Sequence, residues 1–130
     1  MSFIDDLRKA PKEHQKRIEI KKYKMLRRFC IYFYKIFKEE CLYEAKHGGE
    51  TYQSNLSYFL DEILSSCFNE CKSRFVDLLN EKDSILFKKI LIKKLKRDGF
   101  INYAVEKVPY EIYKDGRLIY KYDIKVKVQW

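Results

Sequence analysis

The chain has 130 residues, 46% of them hydrophobic and 36% charged, with four Gly and two Pro. That apolar content is enough for one buried core and argues against disorder, and the scarcity of Gly and Pro points to short loops. Twenty-eight Lys and Arg against 19 Asp and Glu leave a formal net charge of +9, which draws the chain towards polyanions; a Lys-rich composition of the kind AT-rich genomes favour is the competing explanation.

Ser2 to Lys9 reads as a short helix, capped by Ser2, with Asp5 and Asp6 in the first turn where the helix dipole favours negative charge. Pro11 is expected to break it and to open a second helix running to about Lys46. The apolar stripe of that helix is Leu26, Phe29, Cys30, Phe33, Ile36, Phe37 and Cys41, mostly at three- and four-residue steps. Its first half, Lys12 to Arg28, is basic and poor in apolar residues, so it is expected to project from the body or stand as a separate helix. Gly48 and Gly49 end it.

Glu50 to Tyr58 alternates and reads as a strand, with Tyr52, Ser54, Leu56 and Tyr58 on one face. Leu60 to Leu79 is an amphipathic helix whose stripe includes Cys67 and Cys71. Asn80 to Asp83 reads as a turn, and Ser84 to Arg97 as the next helix, with Phe87, Ile90, Leu91 and Leu95 inward and Gly99 ending it. Phe100 to Tyr113 is a strand in two phases: Ile101, Tyr103 and Val105 share one parity, Val108, Tyr110 and Ile112 the other. A bulge at Glu106-Lys107 accounts for the switch, and Pro109 demands a free edge or a break. The turn Lys114-Asp115-Gly116 fits a three-residue loop, which places Ile112 opposite Leu118. The last strand alternates most clearly. Leu118, Tyr120, Tyr122, Ile124, Val126, Val128 and Trp130 form an inward face that should pack on the helices, and Lys121, Asp123, Lys125 and Lys127 lie on a wet one.

The constellations that could carry chemistry are thin. Cys67-x-x-x-Cys71 inside an apolar stripe reads as core packing rather than a metal site. His14 and His47 have no nucleophile motif around them. Asp123-Ile-Lys125 is similar to half of a metal-dependent nuclease site and needs a second acidic ligand, for which Glu106 is the candidate. No Gly-rich phosphate loop is present. The basic helix and hairpin of Ser84 to Trp130 resemble the last helix and wing of a winged-helix DNA binder, although the strands are long for a wing. No apolar run approaches the roughly 18 residues of a membrane span, and MSFIDDLRKA has no apolar leader region. A cytoplasmic protein with four reduced Cys and no membrane partner is expected.

Ala45-Lys46-His47-Gly48-Gly49, the polar strand, the helix ending Lys94-Leu95-Lys96-Arg97-Asp98-Gly99-Phe100 and the closing strand with Trp130 together resemble small accessory proteins of bacteriophages and mobile elements of Gram-positive bacteria. Those often carry Ala, Lys and Gly at a helix end, a polar strand, a helix ending in Leu-x-x-x-Gly-Phe/Tyr, and a last strand ending near Trp. The resemblance spans Ala45 to Trp130. The chain departs from it in the long helix before the Leu-x-x-x-Gly-Phe motif and in its basic N-terminal helix. It implies a phage-type accessory protein in a bacterial host cell and no particular activity; several such proteins block host defence nucleases.

Together these readings predict an α+β fold, with helices, one of them long, basic and N-terminal, packed on one face of a small antiparallel sheet of three strands that ends in a long C-terminal hairpin. One domain is expected, with residues 1–47 as a helical arm and 48–130 as an α+β body. The expected function is non-enzymatic binding, without a cofactor, of nucleic acid or of an acidic, nucleic-acid-handling protein. The candidate contacts are Lys16, Arg17, Lys21, Lys24, Arg27 and Arg28 on the first long helix and Lys89, Lys93, Lys96 and Arg97 on the last. Two alternatives are a protein–protein inhibitor or adaptor acting through the sheet edge or a Tyr-rich face, and a winged-helix-like DNA binder.

Overall fold

The computed structural model describes residues 2–59 and 79–130. Helix α1 runs unbroken over Phe3–Lys46, with Pro11 inside it. The side chain of Ser2 accepts from the Asp5 N–H at 3.3 Å, the expected cap. The expected break at Pro11 does not occur. A proline inside a helix removes one backbone hydrogen bond and costs roughly 3 kcal/mol. Here every residue from Ser2 to Arg17 is exposed, so water reaches the carbonyl that loses its partner. The buried face begins at Met25 and continues through Leu26, Phe29, Cys30, Phe33, Tyr34, Phe37 and Cys41. It is the predicted stripe with Met25 and Tyr34 added and Ile36 only half-buried.

Strand β1 is Thr51–Asn55, shorter than the alternation suggested. At Leu56 the chain tightens into a single 3₁₀ turn, Leu56–Phe59. Leu56 stays inward, fully buried, whereas Tyr58 is exposed. The helix expected over Leu60 to Leu79, with Cys67 and Cys71, lies outside the described residues except for Leu79. Leu79 itself is in a β-bridge: its N–H donates to the Tyr122 carbonyl at 3.1 Å and its carbonyl accepts from the Tyr122 N–H at 2.7 Å.

Helix α2 is Glu81–Arg97 and starts three residues earlier than its apolar periodicity indicated. The Asn80 side chain caps it by accepting from the Asp83 N–H at 2.8 Å, so the residues read as a turn are its cap and acidic first turn. Gly99, at φ 88°, ends it in the left-handed region. The Phe100 N–H reaches back to the Leu95 carbonyl and the Gly99 N–H to that of Lys96, which satisfies the last carbonyls of the helix.

Strands β2 (Asn102–Lys114) and β3 (Arg117–Gln129) form the hairpin. The antiparallel sheet has the order β1-β3-β2, so the C-terminal strand is central. The register runs without interruption from Asn102↔Gln129 to Lys114↔Arg117. There is no bulge at Glu106-Lys107 and the loop has two residues rather than three. Asp115 (φ 53°) and Gly116 (φ 74°) both take left-handed conformations, as in a type I′ turn, whose twist matches that of the strands. Ile112 therefore faces Ile119, and Tyr113 faces Leu118. The two phases of β2 have another origin than a bulge. Val105 and Tyr103 pair with Val126 and Val128 on the helix-covered face, while Val108 and Ile112 lie, half-buried, on the opposite one. Pro109 stands opposite Tyr122, whose backbone groups bond to Leu79. The Pro109 nitrogen thus points away from β3, to the free edge of the sheet, as a proline in a ladder requires.

The core lies between the helices and one face of the sheet. Phe29 and Phe33 pack edge-on against Phe87, and Phe37 against Tyr52, with ring centroids 5.2–6.0 Å apart. Leu91, Leu95, Ile124, Val126 and Val128 close it. The hairpin outruns this layer, so Leu118 and Tyr120 are 41% and 55% exposed despite their inward parity. Trp130 is held by its backbone, which donates to the Glu50 carbonyl at 3.0 Å. Its side chain is exposed rather than packed, because it follows the last residue pair of both ladders.

The helices run in the same direction, side by side. Lys82, at the start of α2, meets Glu19 of α1 at 3.9 Å, and Asp98, just past the end of α2, meets Lys38 of α1 at 3.4 Å. The Tyr34 hydroxyl donates to Asp98 at 2.6 Å. That bond, followed by the nearby Lys38 and Arg97 charges, holds the Asp98 carboxyl below its usual pKa, while partial desolvation opposes the shift. Tyr34→Phe is expected to cost about 1 kcal/mol, since the carboxylate is partly solvated. A depressed carboxylate pKa stabilises the fold above the unfolded-state pKa, and this contribution disappears as pH falls through the folded-state value. The difference between parent and variant in urea unfolding should therefore be full at neutral pH and shrink below about pH 4. A difference independent of pH down to full protonation would detach Tyr34 from Asp98.

Candidate nucleic-acid interface

All ten predicted contact residues are exposed. On α1, steps of four, three and four place Arg17, Lys21, Lys24 and Arg28 on one face, opposite Leu26, Phe29 and Phe33. On α2, Lys89, Lys93 and Lys96 share the face opposite Phe87, Leu91 and Leu95, and Lys82 belongs to the same row. Arg97 leaves that row and lies 3.9 Å from its neighbour Asp98. Both rows are on the outer side of the helical layer, away from the sheet, and they flank the seam between two parallel helices.

Lys16 and Arg27 are not in the first row. With Lys24 they border a groove of about 590 Å³ between α1 and the start of α2. Ile20 and Tyr23 from α1 and Leu86 from α2 give it an apolar floor, Lys82 adds a cation, and Glu19 and Asp83 add two carboxylates. The sequence reading missed Ile20, Tyr23, Lys82 and Leu86 as site residues. A signal existed: Tyr23 lies three and seven residues before Leu26 and Cys30, so with Ile20 it extends the apolar stripe N-terminally of the part that is buried.

The other constellations find structural explanations. Asp123 sits on the parity expected to be wet, yet it is fully buried. One of its oxygens accepts from the Ser57 N–H at 3.0 Å and the Ile124 N–H at 2.9 Å. The other accepts from the Ser57 hydroxyl at 2.6 Å and the Asn55 amide at 3.2 Å. All four acceptor positions of the carboxylate are thus engaged in tying the end of β1 to β3. Glu106, opposite Lys125, is exposed. Among the described residues no group of three His, Cys, Asp or Glu is placed to hold a metal. Cys30 and Cys41 are free and buried, and burial pushes each thiol up to about 12, far from the range of a nucleophilic thiolate. The His47 ring sits 2.8 Å from the Tyr43 carbonyl and against the Tyr43 ring. Among the described residues no helix is long and apolar enough to cross a membrane. The second strand of the hairpin is the centre of the sheet, and the tip of the hairpin extends beyond the helices. No family model, curated protein or solved structure matches this chain, and its α+β architecture and basic helical face are the ground on which a function has to be read.

Proposed function

We propose that this protein is a small non-enzymatic accessory protein, of phage or mobile-element type, that binds nucleic acid through the outer face of its helix pair. The observation that carries this reading is the arrangement of two exposed basic rows along one seam, Arg17-Lys21-Lys24-Arg28 and Lys82-Lys89-Lys93-Lys96. Like charges at neighbouring helix positions repel, so such rows disfavour the isolated fold slightly and suit a polyanion that runs along both. Lys and Arg contacts to phosphate position the ligand without reading its sequence. Binding is expected to be weakly sequence-selective and to fall about 10²–10⁴-fold between roughly 50 and 200 mM salt. Titration of mixed-sequence DNA and RNA at those two concentrations tests it; no retention at low salt ends the nucleic-acid reading.

A second reading has its own support. Tyr113, Tyr120 and Tyr110 are 77%, 55% and 44% exposed on the hairpin that outruns the helices. Exposed tyrosines are favoured contact residues in protein interfaces, so an adaptor or inhibitor working through the hairpin is the alternative if nucleic acid is not bound.

A further inference from the structure

We infer that the groove between α1 and α2 is a stacking site for single-stranded nucleic acid, with Tyr23 as the platform for an unpaired base. This rests on the nucleic-acid reading above and narrows it.

Phosphate binding alone needs cations on a convex face. The groove offers something different. Its floor is Ile20, Tyr23 and Leu86, and its rim carries Lys16, Lys24, Arg27 and Lys82. Ile20 and Tyr23 are 55% and 45% exposed, because they extend the apolar stripe of α1 beyond Met25, where its buried face begins. Single exposed apolar residues are ordinary on protein surfaces. These two are adjacent on one helix face and meet a third from another helix within a concavity, which is less ordinary.

The ligand chemistry follows from that combination. A duplex hides its base faces inside the stack and presents phosphates outward. An unpaired nucleotide presents a flat apolar base beside an anionic phosphate, and so fits an aromatic floor within a cationic rim. The volume of about 590 Å³ lies in the range of small-ligand sites. Glu19 is 3.9 Å from Lys82, so that lysine has a carboxylate to exchange for a phosphate.

The experiment uses the full chain, with a labelled mixed-sequence DNA of about 12 nucleotides, single-stranded and as its duplex, at one low salt concentration. Single-strand binding should be at least about tenfold tighter than duplex binding. Tyr23→Ala should weaken it roughly 5- to 100-fold and leave duplex binding within about twofold, with no change in the salt slope, because no charge is removed. Tyr23→Phe keeps the ring and should keep the affinity. Tyr23 is half exposed, so both variants should fold, and circular dichroism checks this. Equal or tighter duplex binding, or a Tyr23→Ala variant with parental single-strand affinity, overturns the stacking site and leaves the nucleic-acid reading standing. If neither form of DNA binds, that reading falls and the stacking site with it.

Discussion

Asp123→Ala is expected to be among the most destabilising single substitutions in the described part of the chain, at about 3–5 kcal/mol. The carboxylate has 0% exposure and receives four hydrogen bonds, two from backbone N–H groups and two from side chains. Its role comes from the local chain path. After Asn55 the chain leaves the ladder and turns into the 3₁₀ segment, so the Ser57 N–H has no strand partner there. One Asp123 oxygen takes the place of the missing carbonyl. Alanine removes every acceptor at once, and each buried donor left unpaired costs about 1–3 kcal/mol, the lower end applying where Ser57 can reach water. The melting temperature should fall by roughly 10–20 °C. Asp123→Asn keeps the shape and one acceptor oxygen but turns an amide towards two donors, so it should lie between parent and alanine. Lys127→Ala, exposed on the same strand parity, is the control and should stay within about 0.5 kcal/mol. An Asp123→Ala variant within 1 kcal/mol of the parent would mean that water replaces the carboxylate at little cost.

What the sequence made legible here is what one segment carries by itself. The alternation of Ile124, Val126 and Val128, the stripe from Leu26 to Cys41, the Ser2 cap and the Gly99 stop each depend on neighbours a few residues away, and each appears as read. The errors came where a second segment decides. The parity of Val108, Tyr110 and Ile112 looked like a bulge because a strand was assumed to have one apolar face along its whole length. The helices cover one face at the open end of the hairpin, while Ile112 and Ile119 are half-buried on the other face near its tip. Asp123 looked solvated because its donors come from Asn55 and Ser57, far away in sequence. Pro11 looked like a stop because its cost was weighed without the hydration that an exposed helix allows. The basic row on α1 was legible from spacing alone, and that on α2 all but Lys82, which was read as part of a turn. The groove was not, since it needs residues 15–27 beside residues 80–86.

Reversing Arg17, Lys21, Lys24 and Arg28 to Glu together should abolish polyanion binding while leaving the fold nearly intact. All four side chains are exposed, and the face they occupy is opposite the core stripe. Within the row, four neighbouring negative charges repel about as much as four positive ones, a few tenths of a kcal/mol per pair in either case, so the helix itself gains or loses little. The effect on binding is of another size. The formal net charge drops from +9 to +1, and the row that met phosphates now repels them. Each phosphate contact contributes about 0.7 to the salt slope on a single strand and about 0.9 on a duplex, so losing four should flatten the slope by roughly 3. Affinity at about 50 mM salt should fall by more than 100-fold. Lys24 belongs to both the row and the groove rim, and the two variants differ in what they change: the quadruple variant changes the slope, whereas Tyr23→Ala changes affinity at constant slope. The two faces of α1 would then be assigned by two independent measurements on one titration. If the quadruple variant folds by circular dichroism and still binds with the parental salt slope, the row on α1 is not the contact surface. The exposed tyrosines of the hairpin, Tyr110, Tyr113 and Tyr120, then become the better place to look.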